Sequence, residues 1–518
     1  MVHCSRRRFL VEVGRGMITA SVGLTAAAQL ASASTFAAQD PEPLEFGPFE
    51  PLVGLLTDTP ADELVRTLVE KLRTGTSLRD LVTAGALANA RTFGGEDYVG
   101  FHTMMALAPC YRMATVTPAE RQPLPVLKVL YRNTHRIQAF GGREKEVLRA
   151  VAPANLPEGR PGGEVLREAV RGKDLAAAEG AFAAMSLGAP DLGFNVLLQA
   201  VQDGIDVHRV VMPHRAWDLL DIIGSEHAHT LLRQSVHYCV QHEAQAKRRY
   251  SGARELLPRL LEQHKLLGRE PGTRVADDAW IERTSQLVFR ETPERAADAI
   301  AAALAEGLAP ESIGEAIALA TNQLLLRDRG RTERQAEAGK PAGSVHGASV
   351  GVHACDSANA WRGMARAGDA RNTFASLILG ACQAATDRVD GGGDFLTWEP
   401  WPRPEHLAKV TAKSPAELLA ATEAAIRAND QAGACALVHR YGELGHHEAP
   451  VVDLMLRYAT SEDGALHAEK YFRTAVEEFA VARPAFRWRH LCSLARVTAS
   501  EFGTPAAGYA EACEALKT

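Results

Sequence analysis

The chain has 518 residues, of which 46% are hydrophobic and 23% charged, and it carries a net charge of −6. That length and balance support a folded protein with a sizeable core. Acids and bases are mixed along the chain with no basic stripe or acidic tail, which argues against nucleic acid and anionic membranes as partners.

The first element is a targeting segment. Ser5 to Leu10 reads SRRRFL, a serine and paired arginines followed by Phe-Leu, and a weakly apolar stretch then ends in small residues near Ala33. This is the pattern of a twin-arginine signal, against the plainer alternative of a general secretory signal or a disordered arm. The expectation is a signal over 1–33, export of a folded protein to the periplasm or cell exterior, and an extended linker over 34–59. No later stretch is long and apolar enough to span a bilayer.

From residue 60 onward apolar residues recur at spacings of three and four, and alternating β-branched runs are nearly absent. An all-α domain over 60–518 is predicted. Four segments open in the same way: ADELVRTLVEKLRTG, DLAAAEGAFAAMSLG, PERAADAIAAALAEG and PAELLAATEAAIRAND. They define quasi-repeated units of roughly 60–160, 161–270, 290–390 and 413–510, expected to pack around a shared histidine-rich centre.

In the first unit, GFHTMMALAPCYRMA places His102 at the start of an apolar helix, with His135 on the helix after it. In the second, DVHRVVMPHRAWDLLDIIG offers both His208 and His214, and SEHAHTLLRQSVHYCVQHE adds His237 among others. The third unit is preceded by a polar insertion, Arg327 to Ser344, which reads as a mobile loop or lid. It then gives His346, His353 and Asp356 around HACDSANAWR. A Gly-, Pro- and Trp-rich connector, Asp390 to Pro404, leads to the fourth unit. There LGHHEAPVVDLMLRYA matches only loosely through His446, and HAEK supplies His467 and Lys470.

Taken singly, each histidine is more often a hydrogen-bonded core residue than a ligand. Recurring at one place in successive units, they would converge on an axis, and convergent neutral imidazoles hold transition metals. Iron, copper or zinc would suit such a set, and residue type does not choose among them. His467 and Lys470 share one helix face. A buried lysine ammonium is costly and has no lone pair for a metal. Reaction with carbon dioxide would convert it to an anionic carbamate with carboxylate-like oxygens, stabilised beside a cation. The alternative is that Lys470 snorkels outward to Glu469 or Glu477.

Three of these motifs resemble the questin oxidase-like family of helical oxygenases. HTMMALAPCYR is similar to that family's N-terminal histidine followed by Ala-Leu and a tyrosine. HACDSANAWR is similar to its His-x-x-Thr-x-x-x-Ala-Leu-Arg stretch, with Asp356 and Trp361 as departures, and HAEK to its C-terminal His-x-x-Lys. The resemblance implies a non-haem Fe(II) held by four histidines and a carboxylated lysine. By motif these are His102, one of His208 or His214, His353, His467 and Lys470. It also implies dioxygen and an aromatic or quinone-like small molecule as reactants, with oxidative ring cleavage as the reaction. His135, His237, His346 and Asp356 would orient the ligands through hydrogen bonds.

Two readings from other classes stand beside this one. One is an exported helical-repeat protein with structural histidines and a binding face; the other is a metal- or haem-binding protein without turnover. The eight cysteines show no CxxC pairing. They read as small buried apolar residues rather than a disulfide framework or a zinc site.

Overall fold

The computed structural model describes residues 42–347 and 349–517. The signal expected over 1–33 and the first part of the linker lie outside them. The described residues form 24 α-helices, with 71% of those residues helical and no named strand among them, so the protein is all-α. No helix among them is long and apolar enough to cross a membrane.

The extended linker predicted to 59 is corrected by a helix over Glu50–Asp58 that buries Val53 and Leu56. Pro51 sits in its first turn, where a proline costs no hydrogen bond because that N–H has no intrahelical acceptor. The run of prolines and glycines before it disguised a helix start as a linker. The four similar openings are all helical, over Ala61–Arg73, Leu175–Ser186, Pro293–Ala305 and Pro415–Arg427. Helicity is what they share here; it does not make them repeats.

Four other helices position the centre of the molecule: α1 (Tyr98–Val116), α2 (Val207–Ile223), α3 (Val350–Ala367) and α4 (Ala468–Val481). They close a ring, with α1 on α2, α2 on α3, α3 on α4 and α4 back on α1. Three of the starts are capped in the usual way. Asp97 accepts from the N–H of Gly100, Asp206 from those of His208 and Arg209, and Ser349 from that of Val352. The fourth helix begins directly after His467.

The polar insertion is tied down at its C-terminal end. Arg331 donates to the Ser344 hydroxyl and the His346 carbonyl, and the His346 ring meets Ser500 at 2.8 Å and the Gly339 carbonyl at 3.0 Å. In the connector, Trp401 donates its backbone N–H to Leu326 and lies under the Arg496 guanidinium at 4.0 Å. Among the described cysteines, all free, only Cys513 is not fully buried.

Candidate functional site

The ring of helices brings four imidazoles together at its helix starts. His102 lies in the second turn of α1, His208 in the first turn of α2, His353 at the end of the first turn of α3, and His467 caps α4. Nε2 of His208 stands 3.3 Å from Nε2 of His102, and Nε2 of His353 stands 2.9 Å from Nε2 of His467. Ring centroids are 5.2 Å apart between His102 and His467 and 5.8 Å between His208 and His353. The four rings therefore form a closed circuit whose Nε2 atoms face one another in two pairs. Among the described residues no group of three or more His, Cys, Asp or Glu side chains stands ready-made to hold an ion.

Hydrogen bonds at the far side of two rings fix which nitrogen carries the proton. Nδ1 of His102 meets the Tyr98 carbonyl at 2.7 Å, and Nδ1 of His467 meets the Ala465 carbonyl at 2.8 Å. A carbonyl only accepts, so both Nδ1 atoms are N–H donors and both Nε2 atoms turn a lone pair to the centre. His208 has the Asp206 carboxylate 3.8 Å from its Nδ1.

Burial holds all four rings neutral. It takes His353 down to about 3 and His208 to about 4, with Asp206 pulling the latter upward, and it takes His102 and His467 well below the ordinary imidazole range. The cationic head of Lys470 pushes all four in the same direction. Four helix N-termini meeting here add partial positive charge, which disfavours imidazolium and favours an anion.

Lys470 is buried among these rings rather than snorkelling outward. Both expected surface partners are engaged elsewhere: Glu469 pairs with Lys128 at 2.5 Å, and Glu477 with Arg473 at 2.7 Å. Burial lowers the Lys470 amine to about 8, with Asp356 and Glu469 pulling it upward and Arg215 downward. A substantial neutral fraction near pH 8 leaves the nitrogen lone pair free to act as a nucleophile.

A buried polar spine runs from Asp356 into the body of the protein. Thr474 donates to Asp356 at 2.8 Å, and Arg215 donates to Thr474 at 3.2 Å and to Asn359 at 3.1 Å. Asn359 donates to Glu478 at 3.0 Å, and Arg362 closes the line on Glu478 at 2.6 Å.

On the opposite side, His102 forms part of the wall of a cavity of about 240 Å³. Tyr131, His135, Leu466, Ala506 and Ala507 line it together with two ion pairs, Lys128–Glu469 and Arg132–Asp463. The backbone lies flat on Tyr131 at Gly508, whose φ is +77°; a side chain there would meet the ring at 2.7 Å.

Of the ten residues singled out in the sequence, the structure gathers five, His102, His208, His353, His467 and Lys470, with Asp356 close by. His214 is not among them. Its ring fills a notch at Gly363 of α3, where a Cβ would stand 2.1 Å from it. His135 sits exposed at the cavity rim, near-parallel to Tyr131. His237 is held between Glu96 at 3.0 Å and Glu179 at 2.7 Å, and His346 is held by Ser500 and the Gly339 carbonyl just after the insertion; neither orients a central ring. His446 packs on Tyr441 outside the centre.

Sequence reasoning missed Asp206 and Tyr238, whose hydroxyl donates to Asp206 at 2.7 Å. The N-cap position of Asp206, two residues before His208, was the available signal. It also missed Tyr98, which is half-exposed with its ring 4.3 Å from that of His102.

Glu501, buried beside this region, offers a test of the local electrostatics. Its Oε1 has no hydrogen-bond partner, and burial raises its carboxyl from 4.5 to about 8, with Lys128 opposing. The folded state therefore takes up a proton that the unfolded chain has lost. Stability falls as pH rises from about 4.5 to about 8. Glu501→Gln is expected to flatten that slope and raise stability at pH 8, leaving pH 4.5 unchanged. Urea denaturation at the two pH values checks it.

Comparison with protein-family models, with curated proteins and with solved structures returned no match.

Proposed function

We propose that His102, His208, His353, His467 and a carboxylated Lys470 hold an iron ion, and that the protein is an exported oxygenase. Its substrate on this reading is an aromatic or quinone-like molecule bound in the adjoining cavity. The observation that carries this reading is the meeting of four neutral imidazoles by their Nε2 atoms. Two of them have their lone pairs fixed inward by backbone acceptors.

The donor set fits the ion. Four imidazole nitrogens meet in two Nε2 pairs at 3.3 and 2.9 Å, and two of them turn a lone pair inward, so these residues would be the ones to hold it. Neutral imidazoles with an anionic oxygen donor suit ferrous iron, and the positive helix starts stabilise the carbamate. Iron held here would supply the one-electron chemistry that dioxygen needs to attack a closed-shell ring.

The protein's own part is positional. Tyr98 and Ala465 carbonyls aim the imidazoles, Asp206 steadies His208, and burial excludes water from the centre. The cavity wall sets the substrate against His102. The resemblance to questin oxidase-like enzymes supports ring cleavage as the reaction, and the arginine pair at Arg6 and Arg7 supports export after folding.

A structural reading rests on the same two contacts, since Nε2–H of His208 and His353 could donate to His102 and His467 as plain hydrogen bonds. Elemental analysis separates the two. Protein refilled anaerobically with Fe(II) and bicarbonate and then desalted is expected to keep about one iron per chain. It should also consume dioxygen with a quinone or phenol present. Iron no higher than in a denatured control would leave the histidines structural. Iron without oxygen uptake would leave a carrier.

A further inference from the structure

The cavity beside His102 carries four charged side chains besides its histidines, and they are matched in two ion pairs. Lys128 is ion-paired with Glu469 at 2.5 Å and donates to the carbonyls of Ala459 and Glu462 at 2.8 and 2.6 Å. Arg132 pairs with Asp463, and Asp463 also accepts the N–H of Ala465 at 3.2 Å. Lys128 and Glu469 are almost wholly buried, so neither turns outward to meet a ligand. The rest of the wall is small or apolar: Thr103, Ala106, Val129, Leu466 and the alanines at 506 and 507. Tyr131 and His135 stand with rings inclined by 15° at 6.4 Å, giving a flat border along one side.

A ligand carboxylate, phosphate or ammonium entering here would give up part of its water and find the charged side chains of the wall already paired, which favours an uncharged ligand. We infer that this cavity takes an uncharged, flat, ring-bearing molecule, and that the Arg132–Asp463 pair sets that selectivity by cancelling its own charge at the wall. The inference deepens the proposed function and rests on this cavity being the substrate chamber. What it adds is the charge class of the substrate and the residues that choose it.

The logic predicts how the choice can be reversed. Asp463→Asn keeps an oxygen for the Ala465 N–H but leaves Arg132 unmatched. Arg132→Gln leaves Asp463 unmatched instead. The test measures binding by calorimetry at pH 8 to metal-free protein, with 2-naphthol, 2-naphthoate and 2-naphthylmethylammonium as probes.

The wild-type protein is expected to bind 2-naphthol at least about tenfold more tightly than either ion. Asp463→Asn should move the preference to 2-naphthoate, and Arg132→Gln to the ammonium. A wild-type preference for either ion would overturn the inference, as would variants that fold, by circular dichroism, yet keep the wild-type order. Because no metal is present, failure here leaves the iron reading standing, and loss of the iron reading leaves this result intact.

Discussion

His353→Ala is expected to weaken iron binding by at least about a hundredfold, since even partners that merely support a ligand are worth 10–100-fold. After desalting, iron content should fall to near background. The reason lies in the pairing. His353 provides one half of the 2.9 Å Nε2 contact with His467, and no other imidazole stands within that distance of His467 among the described residues. Alanine is the best helix former and His353 lies inside α3, so helical content by circular dichroism should be unchanged. Lys470→Met is expected to lose iron in the same way. It should also lose a carbamate carbon signal in the NMR spectrum of protein equilibrated with ¹³C-bicarbonate. Full iron occupancy in either variant would remove that residue from the ligand set.

Glu478→Ala is expected to destabilise the fold by about 3–5 kcal/mol, the cost of stranding one member of a buried ion pair. Glu478 is nearly inaccessible and so is Arg362, which donates to it at 2.6 Å. Truncation leaves that guanidinium without its carboxylate and removes the acceptor of Asn359 as well. The disturbance reaches the centre along Asn359, Arg215 and Thr474 to Asp356, so weaker iron retention should accompany the loss. Urea denaturation gives the first quantity and iron content the second. A loss of stability under about 1 kcal/mol would show that water or a rearranged partner replaces the carboxylate.

The helical class was legible because periodicity survives without tertiary context, and so were His102, His353, His467 and Lys470 as residues to watch. The choice between His208 and His214 was not. Both lie on α2 within two turns, and what separates them is Gly363, on another helix, whose missing side chain makes room for one ring. His237 was expected to orient a ligand, yet Glu96 and Glu179 claim it from distant segments. Pairings of that kind depend on chain folding and leave no local trace. The helix over Glu50–Asp58 was hidden by prolines that begin helices as readily as they break them.

The closing of α4 onto α1 joins early and late parts of the chain, and beside it Lys128 reaches the Ala459 carbonyl 331 residues away. Three of the five gathered donors, His353, His467 and Lys470, lie beyond residue 350. Synthesis must therefore pass residue 470 before the last of them can arrive. Truncated products have no means of assembling the cluster, and contacts of such long range make folding slow. Occupancy of the cluster would thus mark a molecule in which α4 has closed onto α1.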